Sequence, residues 1–259
     1  MISRSRGVLY PARLPDFHRL PPAPEATELV VWFWIPEWRI EPGRSSRQAV
    51  VGYPAVNLVV EGATVTLSGP TTTASHRDLV GEGWAVGAML RPAAVAVLSS
   101  APSALVDGEE QIDAPELATA VGDAMSGRGA YREQAVAVFS EWLALRVGAI
   151  GDAARQANTL VDVLMGDDAA DTVEEAARRL AVSTRTLQRL AHRHVGVPPA
   201  AMIRRRRLQE AAERLRSDPT IDLAQLAAES GYADHAHLTR DFRSILGLTP
   251  RAYRLDAAE

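Results

Sequence analysis

Arg185, Gln188, Arg189 and His192 fall at the spacing i, i+3, i+4, i+7, which puts them on one face of a helix whose opposite face carries Leu187 and Leu190. Further along, Ala236, Thr239, Arg240 and Arg243 repeat that spacing, with His235 beside them and Leu238, Phe242 and Ile245 opposite. A guanidinium can fork onto a guanine edge, a carboxamide pairs with adenine, a hydroxyl serves either base, and arginine also binds phosphate. Hydrogen bonding to base edges is therefore the chemistry open to Arg185, Gln188, Arg189, Thr239 and Arg240, with Arg193, Arg243 and Arg251 nearer phosphates. One such helix alone could be an ordinary amphipathic helix with a solvated polar face. Two in register favour the reader of double-stranded DNA.

Other chemistries fare worse. The chain has no Cys, which excludes disulfides, thiolate metal sites and thiol nucleophiles. His18 and His76 are the only histidines of the N-terminal half and lie far apart, so a cupin-type metal site of several His is not expected. Ser75, His76 and Asp78 hold the right types for nucleophilic catalysis, but adjacent residues point different ways and no nucleophile elbow surrounds them. A surface polar loop is the reading there. The histidine pairs 192/194 and 235/237 diverge on a helix at i, i+2 and do not form a ligand pair. No catalytic residue, metal or cofactor is expected. Trp32 and Trp34 share one face of a strand, and with Trp84 they are candidates for a small-molecule pocket; plain core is the equal alternative.

The elements that position the polar faces are written twice. A shift of 51 positions carries Leu187 onto Leu238, Arg189 onto Arg240, Gly196 onto Gly247 and Pro199 onto Pro250, and it places Asp171 on Asp222 and Ala176-Ala177 on Ala227-Ala228. An internal repeat fixes architecture before any local reading. Each copy reads as two short helices around a tight turn. Thr172 with Glu175 forms a capping box, Ser183 and Asp234 are N-caps of the second helices, and Gly196 and Gly247 stop them. This is the helix-turn-helix pattern. Between the copies, Pro199 to Arg216 reads as one linker helix about 27 Å long. Arg204 to Arg207 lie 100° apart around it, so one or two are expected at phosphates and the others on Glu210, Glu213 or carbonyls.

Ser183-Thr184-Arg185-Thr186-Leu187-Gln188-Arg189, Gly196-Val197-Pro198-Pro199, Arg207-Leu208, Ile221 to Ala228, Gly231-Tyr232, Leu238-Thr239-Arg240-Asp241-Phe242 and Gly247 to Arg254 together resemble the double helix-turn-helix module of AraC/XylS-type transcription regulators, over about a third of the chain. The resemblance implies a one-component regulator with a cupin-like N-terminal sensor domain, a small-molecule effector, and homodimers and RNA polymerase as further partners. Ala191 and Met202 depart from the family pattern, which has an aromatic at the first position and often Tyr at the second. Both bear on the core of the first subdomain. Alkylation-response proteins carry a related module but need a Cys that this chain lacks.

The net charge of −4 argues against a nucleic-acid partner until it is divided. Residues 172–255 hold 15 Arg against 9 acidic residues, whereas residues 1–171 hold 13 Arg against 21. A basic module behind an acidic domain suits a regulator. No signal peptide or long apolar run is seen, so a cytoplasmic protein without membrane contact is expected.

Residues 1–27 read as an extended, Pro- and Arg-rich lead-in. Short β-branched runs follow: 29–35 closed by Pro36, 49–51, 57–60, 64–67 and 84–90. They imply a barrel or sandwich. Helical period returns over 114–148, as a connector that packs on the barrel or mediates dimerisation, and Gly148 to Gly151 reads as a hinge. The expectation is thus an α+β multidomain chain: a β-rich, cupin-like sensor over 1–113, a helical connector over 114–150, and an all-α DNA-binding domain over 151–259 with two helix-turn-helix subdomains joined by the linker helix. The alternative is an enzyme or small-molecule-binding barrel fused to a DNA-binding module.

Overall fold

The computed structural model describes residues 16–50, 53–218 and 220–258. Nine strands come first: β1 (Asp16–Leu20), β2 (Val30–Arg39), β3 (Ser45–Val50), β4 (Asn57–Glu61), β5 (Thr64–Ser68), β6 (Ser75–Val80), β7 (Glu82–Trp84), β8 (Val86–Leu90) and β9 (Glu109–Gln111). Helix α1 (Pro92–Leu98) precedes β9, and α2 (Pro115–Met125) and α3 (Tyr131–Val147) follow it. A seven-stranded antiparallel sheet has the order β1-β2-β8-β4-β5-β9 with β7 also on β2, and β3 pairs with β6 in a second sheet.

Alternation divides the large sheet into two faces. Phe33, Ile35, Leu58, Val60, Val65, Leu67, Val86 and Ala88 point one way and share a core with Leu117, Val121, Phe139 and Leu143 of α2 and α3. The Phe33 and Phe139 rings meet edge-on at 5.2 Å. The segment 114–148 therefore packs into the core of the β-rich domain. Trp32, Ala55 and Met89 form a separate cluster on the other face, with Trp34 and Tyr53 against it.

Strand boundaries depart from the sequence reading at several places: β3 spans 45–50 and not 49–51, the run 84–90 is split between β7 and β8, and β9 is added. β2 runs through Pro36, because the proline sits where the β2 partner changes from β8 (Trp34 opposite Gly87) to β7 (Glu37 opposite Trp84); its carbonyl still accepts from the Ala85 amide at 3.2 Å. Residues 75–80 are a strand and not a loop. Among residues 76–80 only Leu79 is buried, so no alternation betrayed it. Asp16–Leu20, inside the supposed lead-in, is an edge strand on β2; the basic start before it lies outside the described residues.

Beyond Gly148 (φ +68), the cap of α3, the chain is helical: α4 (Asp152–Met165), α5 (Val173–Arg179), α6 (Thr184–Val195), α7 (Pro199–Ser217), α8 (Leu223–Glu229), α9 (His235–Asp241) and α10 (Pro250–Ala258). Two cores form here, one from α4 to α7 around Leu160, Leu187 and Met202, the other around Leu208, Leu226, Leu238, Phe242 and Tyr253. Ala191 and Met202, the two departures from the family pattern, are both fully buried. The first core also takes in Tyr53 and Val106 from the β-rich domain, so it is partly built from outside the module.

The repeat is real but its register slips. The first-helix caps are Thr172 and Asp222, and the left-handed turn residues are Ala181 and Gly231; both pairs lie 50 apart. The second-helix caps, Ser183 and Asp234, lie 51 apart. Buried Ala176-Ala177 thus corresponds to Leu226-Ala227 and not to Ala227-Ala228. The second turn holds one residue more, and Tyr232 in it is buried.

The first turn accordingly carries an alanine at φ +53 where the second has glycine at +71. Left-handed backbone costs an L-residue roughly 1–2 kcal/mol, and glycine returns about 0.4–1 kcal/mol of that through unfolded-chain entropy. Ala181→Gly should raise stability by up to about 1 kcal/mol, read from the midpoint of urea denaturation at unchanged slope.

Candidate nucleic-acid interface

The second helix of each unit, α6 or α9, is fixed by its own sequence. The Ser183 hydroxyl accepts from the Thr186 amide at 3.1 Å, and Gly196 closes α6 in the left-handed region at φ +87. The Asp234 carboxylate accepts from the His237 amide at 2.7 Å, a bond that holds its pKa below the usual carboxylate value. On α6, Leu187, Ala191 and Val195 are buried while Arg185, Gln188, Arg189, His192 and Arg193 face solvent. On α9, Leu238 and Asp241 are buried, His235, Ala236 and Arg240 are exposed, and Thr239 is half-buried.

Helix α9 does not keep one period. After Asp241 it passes into a π turn over Phe242–Leu246, closed by Gly247 at φ +74. A π turn is wider than an α turn, so each residue advances less around the axis. Arg243 is exposed but rotated off the uniform i+7 line on which the spacing had placed it. Arg251 is exposed on α10. Each residue assigned to bases or phosphates is thus solvent-facing or, for Thr239, half-buried.

The run Arg204 to Arg207 behaves differently. Arg204 forks onto Asp241, its Nε donating to Oδ2 at 2.6 Å and its Nη2 to Oδ1. Arg205 is buried and donates to the Thr71 carbonyl of the β-rich domain. Burial pulls its guanidinium down to about 10, against the opposing pull of the Asp107 carboxylate, so it stays charged at neutral pH. Arg206 donates to the Ala170 carbonyl at 2.9 Å and to Asp171 at 3.0 Å, and pairs with Glu210. Arg207 spans the two subdomains, donating to the Asp171 carbonyl at 2.7 Å and the Gly231 carbonyl at 3.1 Å. Four successive guanidiniums, 100° apart, reach four parts of the fold, with Glu210 and backbone carbonyls among their partners as expected.

The β-rich domain touches the module at the ends of both second helices. A Cβ on Gly196 would come within 2.9 Å of Val106 and 3.0 Å of Ser103, and one on Gly247 within 3.3 Å of Ala74. Asn158 of α4 accepts from the Ala93 amide at 3.0 Å and donates to the Glu28 carbonyl at 2.8 Å. Arg91 pairs with Asp162 at 2.9 Å.

The three tryptophans do not come together. Trp32 and Trp34 lie on the second face of the sheet, where Arg19 stacks over Trp32 at 4.6 Å and Tyr53 meets it edge-on at 5.3 Å. The Trp34 indole N–H donates to Asn57 at 3.0 Å. Trp84 packs instead against the main core. Sequence reasoning missed Tyr53, Arg19 and Asn57 on this face. It also missed Asp241, although a charged residue three positions after Leu238 and next to Phe242, on the apolar stripe, was the available signal. Among the described residues no group of three or more His, Asp or Glu could hold a metal, and no helix is long and apolar enough to cross a membrane.

Residues 176–256 match a family described as "Helix-turn-helix domain", and residues 18–110 match a "Domain of unknown function (DUF6597)". The HTH-type transcriptional activator RhaS of Escherichia fergusonii is 38% identical over 82 residues, which are 31% of this chain and 29% of RhaS; less than a third of that relative is spanned. Among solved structures, ToxT from Vibrio cholerae O395 has a TM-score of 0.41 at 12% identity, covering 93% of this chain and 96% of that one. Wild-type ToxT of Vibrio cholerae strain SCE256 bound to an unsaturated fatty acid scores 0.43 at 10% identity, covering 93% and 94%. The matched helix-turn-helix segment falls on the two units built above. The C-terminal domain, a double helix-turn-helix, is thus similar over about a third of the chain to the DNA-binding part of a known transcriptional activator.

Proposed function

We propose that the chain is a one-component, sequence-specific regulator of transcription. One subunit reads double-stranded DNA with α6 and α9 together, and the β-rich domain binds a small-molecule effector. The observation that carries the reading is the pair of capped helices whose polar faces are open to solvent while the linker between them is tied into both subdomains. Because the two faces differ, Arg185/Gln188/Arg189 against His235/Thr239/Arg240, the site of one subunit has two unlike halves and is not a palindrome. The aromatic face of Trp32, Trp34 and Tyr53 supports an effector site better than Trp84 does. The division proposed is a β-rich domain that includes α2 and α3, followed by the DNA module from 151. Cytoplasmic location, contact with RNA polymerase and homodimers belong to the same proposal, as does action through binding and not turnover.

Selection of duplexes from a random pool by the full chain, followed by footprinting, tests it. One contiguous face of about two helical turns should be protected. Enrichment of no sequence would sink the proposal. Within the selected site, Arg240→Ala should cost roughly 1–3 kcal/mol and relax one base position. Equal weakening on selected and random DNA would make Arg240 a phosphate contact.

A further inference from the structure

Asp241 is the only acidic side chain buried among the described residues. It is the last residue of α9, next to Arg240, at the point where the helix gives way to the π turn. Both of its carboxylate oxygens accept from the guanidinium of Arg204, and the buried Tyr232 hydroxyl also faces it. A forked pair of this kind fixes the plane of the carboxylate as well as its distance. The other end of the fork is not free to follow α9. Arg204 stands on α7, which Arg206 and Arg207 tie to the α4–α5 segment at Ala170 and Asp171.

The helix held in this way is short. α9 has seven residues, and Leu238 with Phe242 anchors it to the core. Apolar contacts resist removal from the core more than rotation about the helix axis. The Tyr232 ring meets His237 edge-on at 5.3 Å, one more contact on the side of α9 turned from solvent. Burial of a carboxylate is expensive, and apolar residues in its place are often as stable. What the ion pair adds over an apolar pair is direction.

We infer that Arg204 and Asp241 are a positioning pair that sets the rotation of α9 and so determines how Thr239 and Arg240 reach base edges in the second half-site. The inference rests on the DNA reading proposed above. It distinguishes the two recognition helices, since on α6 the buried stripe is apolar throughout.

The test uses full-length chains: wild type, Asp241→Asn, the double variant Arg204→Leu/Asp241→Leu, and Arg204→Lys. Each is put through the same random-pool selection and a thermal melt. Asp241→Asn, which leaves Arg204 facing a neutral amide, should melt several degrees lower. The double variant should melt near wild type, yet its discrimination at second half-site bases should fall at least about tenfold while first half-site preferences stay unchanged. Arg204→Lys keeps the charge but not the fork, and should show the same one-sided loss even if the double variant does not fold. Wild-type discrimination at the second half-site in the double variant or in Arg204→Lys overturns the inference, and so does equal weakening of both half-sites, which would mark a purely structural pair. A wild-type chain that enriches no sequence overturns the DNA reading itself, and this inference with it.

Discussion

With 5 bp inserted between its half-sites, the selected duplex is expected to bind no better than random DNA. Successive major grooves on one face of the duplex lie one turn apart, about 34 Å. α7 has 19 residues, about 28 Å at 1.5 Å per residue, and with the subdomains at its ends it spans that distance. It is also tied to both subdomains from a single turn, by Arg206 and Arg207 to the first and by Arg204 and Arg207 to the second. Half a turn of added DNA carries the second groove to the far side, where α9 cannot follow. The loss should be about 10³-fold or more, the usual gap between specific and non-specific binding. Titration of both duplexes at one fixed salt concentration measures it, because the non-specific level itself moves with salt. Retained affinity would mean that one helix alone reads the site.

Gly87→Ala should be a strongly damaging small substitution in the β-rich domain. A Cβ at this position would stand 2.1 Å from the Trp34 ring system. The indole cannot yield cheaply. Its N–H is bonded to Asn57, and it belongs with the cluster of Trp32, Tyr53 and Met89. Overpacking of this kind costs about 1–3 kcal/mol, and losing the Trp34–Asn57 bond adds about 1 kcal/mol more. Denaturant unfolding followed by tryptophan fluorescence reports both the loss and the displaced indole. Unchanged stability would show that Trp34 is free to swing, and that this face is softer than its contacts imply.

Much of the DNA module was legible because its signals are local. Thr172, Ser183, Asp222 and Asp234 cap helices with bonds to amides two or three residues on, and Gly196 and Gly247 close them at positive φ. Each is a property of a few consecutive residues. The slip from 50 to 51 was hidden by a chance match, since Ala176-Ala177 meets Ala227-Ala228 at a shift of 51 but Leu226-Ala227 at the shift of 50 that the first helices keep. The strand Ser75–Val80 was illegible because its partner β3 supplies its order and its own pattern does not. The packing of 114–148 on the sheet, the separation of Trp84 from the other tryptophans and the partners of the arginine run are long-range facts. Helical periodicity names a buried face but not the element that buries it.

The arginine run also changes the thermodynamic weight of the linker. Read along the chain, Arg204 to Arg207 is its densest positive charge, and a polyanion would be expected to exchange condensed counterions for all four. In the fold their charge is already answered by Asp241, Asp171, Glu210 and backbone carbonyls. On the proposed DNA reading, counterion release per protein bound draws chiefly on α6, α9 and Arg251, and the log–log salt slope, about −0.9 for each phosphate neutralised, is expected to follow those scattered exposed arginines. Against those three carboxylates, the most basic stretch of the sequence presents one net positive charge to the ions around a duplex and not four.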